Sequence, residues 1–299
     1  MLSLVYSNIL TRNLNIFSTM ESLTIPDVPL ISGDFLSTMK LTLVKEICRK
    51  KKTPVQVLEV TLQEEPSVHK AIKKIGRFNA KGCDCWFNIL REVSVMNSVS
   101  HPHVMKMDWA VRCEDYVAIC MPLCPRGHLG RSCVRLSQEQ IERCFVQIAC
   151  ALRYLHDKRI VHGDVKPENI FLDSADNAYL GDFGTSYLLQ LGQDLVSKWK
   201  GSRGFVPPDA MHTGPCAVNP FLAEAYALGA TLWAVFFKVK PVGEDLLATV
   251  ESCSVMPDTY RAILMRLVQK KAELRHSIHA LLAFIHVHTD RLRGLIDSL

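Results

Sequence analysis

Hydrophobic periodicity is mainly that of strands before, and of helices after, the Pro- and Gly-bearing segment PLCPRGH, residues 122–128. Upstream, LTLVKEI (41–47), VQVLEVTL (55–62), HKAIKKI (69–75), MKMDWAVR (105–112) and YVAICM (116–121) carry the two-residue alternation of strands. One upstream stretch differs. In CWFNILREVSVMNSV, Cys85 to Val99, the residues Phe87, Leu90, Val93 or Ser94, and Asn97 recur at helical spacing, and Pro102 in HPHV would stop a helix there. Downstream of the segment the pattern is mainly helical, with short strands around IFLD and AYLGD. A chain of 299 residues is long enough for two cores. The expectation is an α+β fold: a small antiparallel β-sheet lobe with one helix at residues 40–120, a hinge at 121–127, and a larger, mainly helical lobe at 128–299. Residues 1–39 include Pro26 and Pro29, lack clear periodicity, and read as a flexible arm.

Composition excludes several function classes. Apolar content of 48% with 22% charged residues is that of an ordinary globular protein. A net charge of +5 is too small to point to nucleic acid. The 11 cysteines are odd in number and form no C-x-x-C pair, which reads as reduced thiols inside a cell rather than a disulfide or zinc framework. The four histidines of HSIHALLAFIHVH fall on an expected helix without carboxylate or thiol at ligand spacing, so no metal site is expected there. The longest uncharged apolar run, Ala225 to Phe237, is 13 residues, the length of a buried helix rather than a membrane span. No membrane partner is expected. The first 20 residues lack acids and carry Arg12, a faint trace of a targeting sequence.

The turn expected between the first two strands is unusual. Its sequence is RKKKTP, Arg49 to Pro54, and no glycine occurs between Asp34 and Ile75. Tight strand connections ordinarily use Gly, Asn or Asp. A solvated, positively charged tip that discourages edge pairing is one account. Another is that the cations hold an anionic ligand.

The chemistry is concentrated in IVHGDVKPENIFLD, Ile160 to Asp173, and in LGDFG, Leu180 to Gly184. In order and separation these resemble the catalytic loop and the magnesium motif of the protein kinase family. Other segments take register with them. KAIKK puts Lys73 at the place of the phosphate-holding lysine, and LREVSVM puts Glu92 at the place of its partner. GSRGFVPPDAM resembles the end of the activation segment, with Asp209 as its acid, EAYALGATLW the central helix, with Glu224 where an aspartate is usual, and Arg275 the arginine that pairs with the acid of that segment. The resemblance spans about Leu41 to Phe284. It implies a bilobal protein-kinase-like fold, ATP and Mg²⁺ as cofactors, and a protein substrate carrying Ser or Thr.

The roles it implies are separable. Asp164 would take or orient the proton of the substrate hydroxyl, Lys166 would face the transferring phosphoryl group, and Asn169 and Asp182 would bind the metal. Lys73, oriented by Glu92, would hold phosphates. Met121 falls at the gatekeeper position, Pro122 and Cys124 would offer backbone groups to adenine, and Val55, Ala71 and Phe171 would sandwich the base. The glycine-rich loop is where the chain departs most. Its three glycine positions fall on Cys48, Lys50 and Thr53, so Lys50, with Arg49 and Lys52 beside it, would have to hold phosphate by side-chain charge. The catalytic-loop arginine that normally grips a phosphorylated activation segment is Gly163. That implies activity without such phosphorylation, because the receiving cation is absent. A compact kinase of this kind is similar to the divergent kinases of large DNA viruses. Two other readings stand beside an active Ser/Thr kinase: a pseudokinase serving as a nucleotide-binding or scaffold module, and a small-molecule phosphotransferase, which also carries H-G-D.

Overall fold

The computed structural model describes residues 28–50, 53–79, 81–197, 199, 201–211, 217–241 and 245–298. The chain divides into two compact units. One comprises the described residues up to Val99 together with Met105–Leu123, and the other comprises Ser100–Val104 with Cys124 onward.

The N-terminal unit is built on five antiparallel strands, β1 (Leu41–Arg49), β2 (Val55–Leu62), β3 (His69–Gly76), β4 (Trp109–Arg112) and β5 (Tyr116–Pro122), in the order β1-β2-β3-β5-β4. Register is specified by burial on both faces. Leu58, Val60 and Ile72 fill one face with Val111, Ala118 and Cys120. Ala71 and Lys73, one residue out of phase with Ile72, point to the other. The β1–β2 ladder shifts register between Leu43 and Lys45 and again between Glu46 and Cys48, so β1 is bulged along its length.

The flexible-arm reading of residues 1–39 needs correction at its C-terminal end. Residues 1–27 lie outside the described ones, but from Val28 onward the segment is part of the unit. Ile31 N–H donates to Arg112 O and Arg112 N–H to Pro29 O, both at 2.8 Å, which extends the sheet edge at β4. A short helix, α1 (Phe35–Thr38), capped by the Asp34 carboxylate, then lays Phe35 on the Leu58–Val60–Ile72 face. Phe35 is 2% exposed. Periodicity missed it because one turn of helix is too short to show a repeat, and a single aromatic anchor does the packing.

The second helix, α2 (Trp86–Ser98), lies where the pattern puts one, but its inward face differs. Ile89, Glu92, Val93 and Met96 are buried, whereas Phe87 is 51% exposed and Asn97 is exposed. Val93 and Ser94 are buried as their spacing implies, and the inward face also takes in Glu92, stabilised there by a lysine from the sheet.

The C-terminal unit is helical: α3 (Leu129–Ser132), α4 (Gln138–Asp157), α5 (Pro220–Phe237), α6 (Leu246–Ser252), α7 (Asp258–Leu267), α8 (Ile278–His288) and α9 (Asp290–Asp297). A capping box between Ser137 and Gln140 starts α4. Helix α5 is long and apolar enough to cross a bilayer, yet 78% of it is buried in the protein, where it forms the core of this unit. Gly229 permits close approach of α7: a β-carbon there would stand 2.7 Å from that of Leu267. Two small strand pairs, β6 (Ile160–Val161) with β9 (Tyr187–Leu188) and β7 (Ile170–Leu172) with β8 (Ala178–Leu180), carry the chemically distinctive loops. In the histidine-rich α8, His279 pairs with Asp157 at 2.7 Å, and His286 lies 3.6 Å from Asp297.

Because Phe35 anchors the segment before β1, Phe35→Ala should destabilise the protein by about 3–5 kcal/mol through lost burial and a residual cavity. Denaturant unfolding reads this directly. An unchanged midpoint would return residues 28–39 to the status of an arm.

Candidate active site

The loop between β6 and β7 is organised around Asp164. Its Oδ1 accepts the backbone N–H of Ser202 at 3.0 Å, and its Oδ2 accepts Asn169 Nδ2 at 3.1 Å and the Lys166 ammonium. Lys166 Nζ also reaches Ser202 Oγ at 2.6 Å. Asn169 is tied to the loop a second time, its Nδ2 donating to Asp164 O at 2.8 Å. A 3₁₀ turn at Pro167–Asn169, started by a proline whose missing N–H costs nothing there, sets this spacing.

His162 braces the loop from behind. Its Nε2 donates to Gly181 O at 2.9 Å while its Nδ1 accepts the Asp164 N–H at 3.3 Å, which fixes the tautomer. Its ring meets fully buried Phe183 edge-on at 5.0 Å. The contact holds the turn in which Asp182 adopts a left-handed conformation, φ 62° and ψ 70°. That backbone is disfavoured for a residue with a β-carbon, and its occurrence at a metal-motif aspartate marks a position defined by its surroundings.

The whole loop hangs on Glu224 of α5. This carboxylate is fully buried. Oε1 accepts the Gly163 N–H at 2.6 Å, and Oε2 accepts His156 Nε2 at 2.8 Å. The sequence singled out Glu224 for its place in the motif. His156, near the end of α4, had no signal, because its partner is 68 residues away. Asp209 and Arg275 form the other long-range pair, Nη2 to Oδ1 at 2.9 Å, with Arg275 also donating to Leu222 O and Gln269 O.

Gly163 is required by the backbone. Its φ is +84°, and a β-carbon would stand 2.8 Å from the Thr185 carbonyl oxygen. No side chain, arginine included, fits there without moving the segment that follows Phe183.

In the N-terminal unit Lys73 Nζ donates to Glu92 Oε1 at 2.6 Å, and both side chains are nearly buried. Ala71 lies beside Lys73 on the same face of β3 and pairs with Met121 of β5. Val55 opens β2 opposite Ile75. Pro122 ends β5 in an exposed position. In the C-terminal unit, Phe171 is half-buried on β7 and bridges His128. The Cys124 carbonyl accepts the Gly127 N–H at 3.0 Å, and burial pushes the Cys124 thiol up to about 12. The Lys50 amide is engaged: it donates to Val55 O at 2.9 Å and closes the turn. Arg49 pairs with Glu46 at 2.8 Å. Lys51 and Lys52 lie outside the described residues.

Among the described residues no three His, Cys, Asp or Glu side chains converge as an all-protein metal site would need. The donors the resemblance assigns to Mg²⁺, Asn169 and Asp182, are both oxygen ligands. With the Asn169 amide nitrogen spent on Asp164, its amide oxygen is the atom left for a hard cation. Mg²⁺ typically takes one or two side-chain oxygens and completes its shell with phosphates and water, so this donor set fits.

A model of the protein kinase domain matches residues 55–289. The chain belongs to the protein kinase family. The match begins at Val55, just past the RKKK turn. Among curated relatives, CBL-interacting protein kinase 24 of Oryza sativa subsp. japonica is 30% identical over 165 residues, 54% of this chain and 36% of its own length. NUAK family SNF1-like kinase 2 of Rattus norvegicus is 31% identical over 188 residues, 62% of this chain and 29% of its own length. SNF1-like protein kinase ssp2 of Schizosaccharomyces pombe is 30% identical over 196 residues, covering 63% and 33%. The kinase domain described here thus spans about a third of the length of these relatives.

Gly163→Ala should cost about 1–3 kcal/mol from positive φ and the contact with Thr185 O. Unfolding free energies of the two proteins provide the comparison, and equal values would mean the loop relaxes freely at this position.

Proposed function

We propose that this chain is a serine/threonine protein kinase that phosphorylates protein hydroxyls from Mg·ATP and does so without phosphorylation of its own activation segment. The observation that carries the reading is the state of Asp164. Both its oxygens are oriented by donors from Ser202, Asn169 and Lys166, which is how a carboxylate is pre-positioned to receive one particular proton. ATP would supply the transferable phosphoryl group and Mg²⁺ the charge that shields its oxygens.

The chain's own residues then divide the work. Asp164 orients the attacking hydroxyl and accepts its proton. Lys166, bridging Asp164 and Ser202, offers a cation beside that hydroxyl. Asn169 and Asp182 supply metal oxygens. Glu92 holds the Lys73 ammonium in one direction so that it can meet phosphate oxygens as a fixed point charge. Ser/Thr rather than Tyr specificity is supported by the DVKPEN loop, by Ser202 beside Lys166, and by the printed name of a relative, CBL-interacting serine/threonine-protein kinase 8 of Arabidopsis thaliana, 30% identical over 168 residues. Independence from phosphorylation is supported by Gly163, which has no side chain to receive a phosphate, and by Ser186, whose hydroxyl is buried and donates to His162 O at 2.9 Å.

One observation favours a second reading, a nucleotide-binding pseudokinase. The Lys50 amide, at a glycine-loop position, is spent on Val55 O and is lost as a phosphate donor. The two readings separate on transfer itself. With phosphatase-treated enzyme, Mg·ATP and a generic basic protein, the wild type should transfer phosphate to Ser or Thr. Asp182→Ala should abolish transfer, and Asp164→Asn should lower kcat by about 10²–10⁴-fold. Full activity in both variants overturns the mechanism, and nucleotide binding without transfer by the wild type selects the pseudokinase.

If side-chain charge replaces loop amides in holding phosphate, changing Lys50, Lys51 and Lys52 to Gln should raise the KM for ATP several-fold at low salt. The gap should close as salt rises, since the Debye length is about 8 Å at physiological ionic strength. A KM unaffected at both salt concentrations leaves the cluster as a solvated tip.

A further inference from the structure

The segment after Asp182 must return Ser202 to Asp164. It is tied at its start, where Thr185 and Ser186 hydroxyls both donate to His162 O at 3.1 and 2.9 Å and β9 pairs with β6. It is tied near its end by Val196 bridged to Val218, by Ser202 on Asp164, and by Asp209 on Arg275. The turn between, residues 190–194, receives no apolar help: Leu191 is 93% exposed.

Within the turn, Gln193 Oε1 accepts the Gln190 N–H at 3.3 Å, and from outside it Arg159 holds the turn to the rest of the unit. Arg159 Nε donates to Gln190 O at 3.2 Å, and Nη2 donates to Gln193 O at 2.7 Å and to Asp194 Oδ1 at 3.0 Å. Its own carbonyl accepts the Leu189 N–H at 2.9 Å. Arg159 stands at φ 58°, a conformation that a β-carbon disfavours, immediately before β6. Its guanidinium lies 5.7 Å from the Phe221 ring centroid. Phe221 packs at 4.8 Å on His156, the imidazole bonded to Glu224, which in turn holds the Gly163 N–H. The turn and the catalytic loop are therefore braced through one contiguous set of contacts.

We propose that Arg159 is a positioning residue for phosphoryl transfer, acting with Asp194 as a permanent clamp on the 190–194 turn in place of an arginine–phosphate contact. The proposal rests on the reading of the chain as a phosphorylation-independent kinase, and it assigns the device that makes this independence work. A guanidinium suits the task because its planar fork serves two carbonyls and a carboxylate at once, which a lysine ammonium cannot match. Asp194 is 66% exposed, so its charge is screened and it sets direction more than strength. The backbone carbonyls, which no modification removes, carry the rest.

The test uses the full chain, phosphatase-treated, with Arg159→Gln, Arg159→Lys and Asp194→Asn. Arg159→Gln should lower kcat/KM for the protein substrate about tenfold, the scale of losing one to two charge-assisted hydrogen bonds, with the dissociation constant for ATP unchanged. Arg159→Lys should recover part of the loss. Asp194→Asn should lose less, and that loss should vanish at high salt. Wild-type kcat/KM in Arg159→Gln, or an equal fall in ATP affinity, overturns the proposal. Should the Arg159 variants fail to fold, Asp194→Asn decides, and wild-type kinetics at low salt overturn it. If the wild type transfers no phosphate, the kinase reading fails on its own, and limited proteolysis still reads the clamp. Cleavage between residues 190 and 195 should accelerate in Arg159→Gln at unchanged global stability, and an unchanged cleavage rate overturns it.

Discussion

The buried carboxylate of Glu224 organises the catalytic loop of the C-terminal unit. Glu224 has no solvent contact, and a lone ion there would be strongly destabilising. It is tolerated because His156 and the Gly163 amide both donate to it. The same bonds fix where the chain enters the loop bearing Asp164, Lys166 and Asn169. A glutamate in place of the family's usual aspartate reaches one methylene further from α5 and still satisfies both donors. Removing either partner would leave polar groups stranded in the core, so the packing of α5 and the geometry of the loop are a single constraint.

Glycine is placed by this chain where the backbone demands it and omitted where ligand contact alone would favour it. At Gly163 a positive φ and the approach of Thr185 O penalise any side chain. In the RKKK turn, the Lys50 amide closes the connection to Val55 without a glycine. The first position explains why the catalytic-loop arginine cannot simply be present here. The second explains why the turn still forms although the usual residues are missing. Arg159, four residues before Gly163, supplies a cation from a position where its side chain has room.

The N-terminal unit shows the same economy in the placement of charge. Glu92 interrupts the apolar face of α2 and is buried only because Lys73 on β3 meets it. The opposite face of the sheet is covered by Phe35 and the segment leading to it, so both faces are desolvated and the register of β2 and β3 is held from either side. A slip of β3 by one position would turn the Lys73 ammonium into the apolar Leu58–Val60 face and take it away from Glu92, so the unlike chemistry of the two faces fixes the register.

The sequence by itself determined the class of fold and the order of five strands and one helix ahead of a mainly helical lobe, and through resemblance it proposed roles for the catalytic-loop and metal-motif residues. The fold class is carried by local periodicity, and the motifs by residues within a few positions of each other whose roles come from the resemblance. Lys73, Glu92, Asp209 and Arg275 were assigned through the same resemblance, since nothing local ties residues 19 or 66 positions apart. Only the tertiary structure decided which face of α2 turns inward, that residues from Val28 belong to the core, that Gly163 is a steric necessity, and that Arg159 grips the turn at 190–194. Each of these depends on a partner distant in the chain. A periodic pattern records that a residue will be buried or exposed, but not which carbonyl, carboxylate or ring the fold will bring against it.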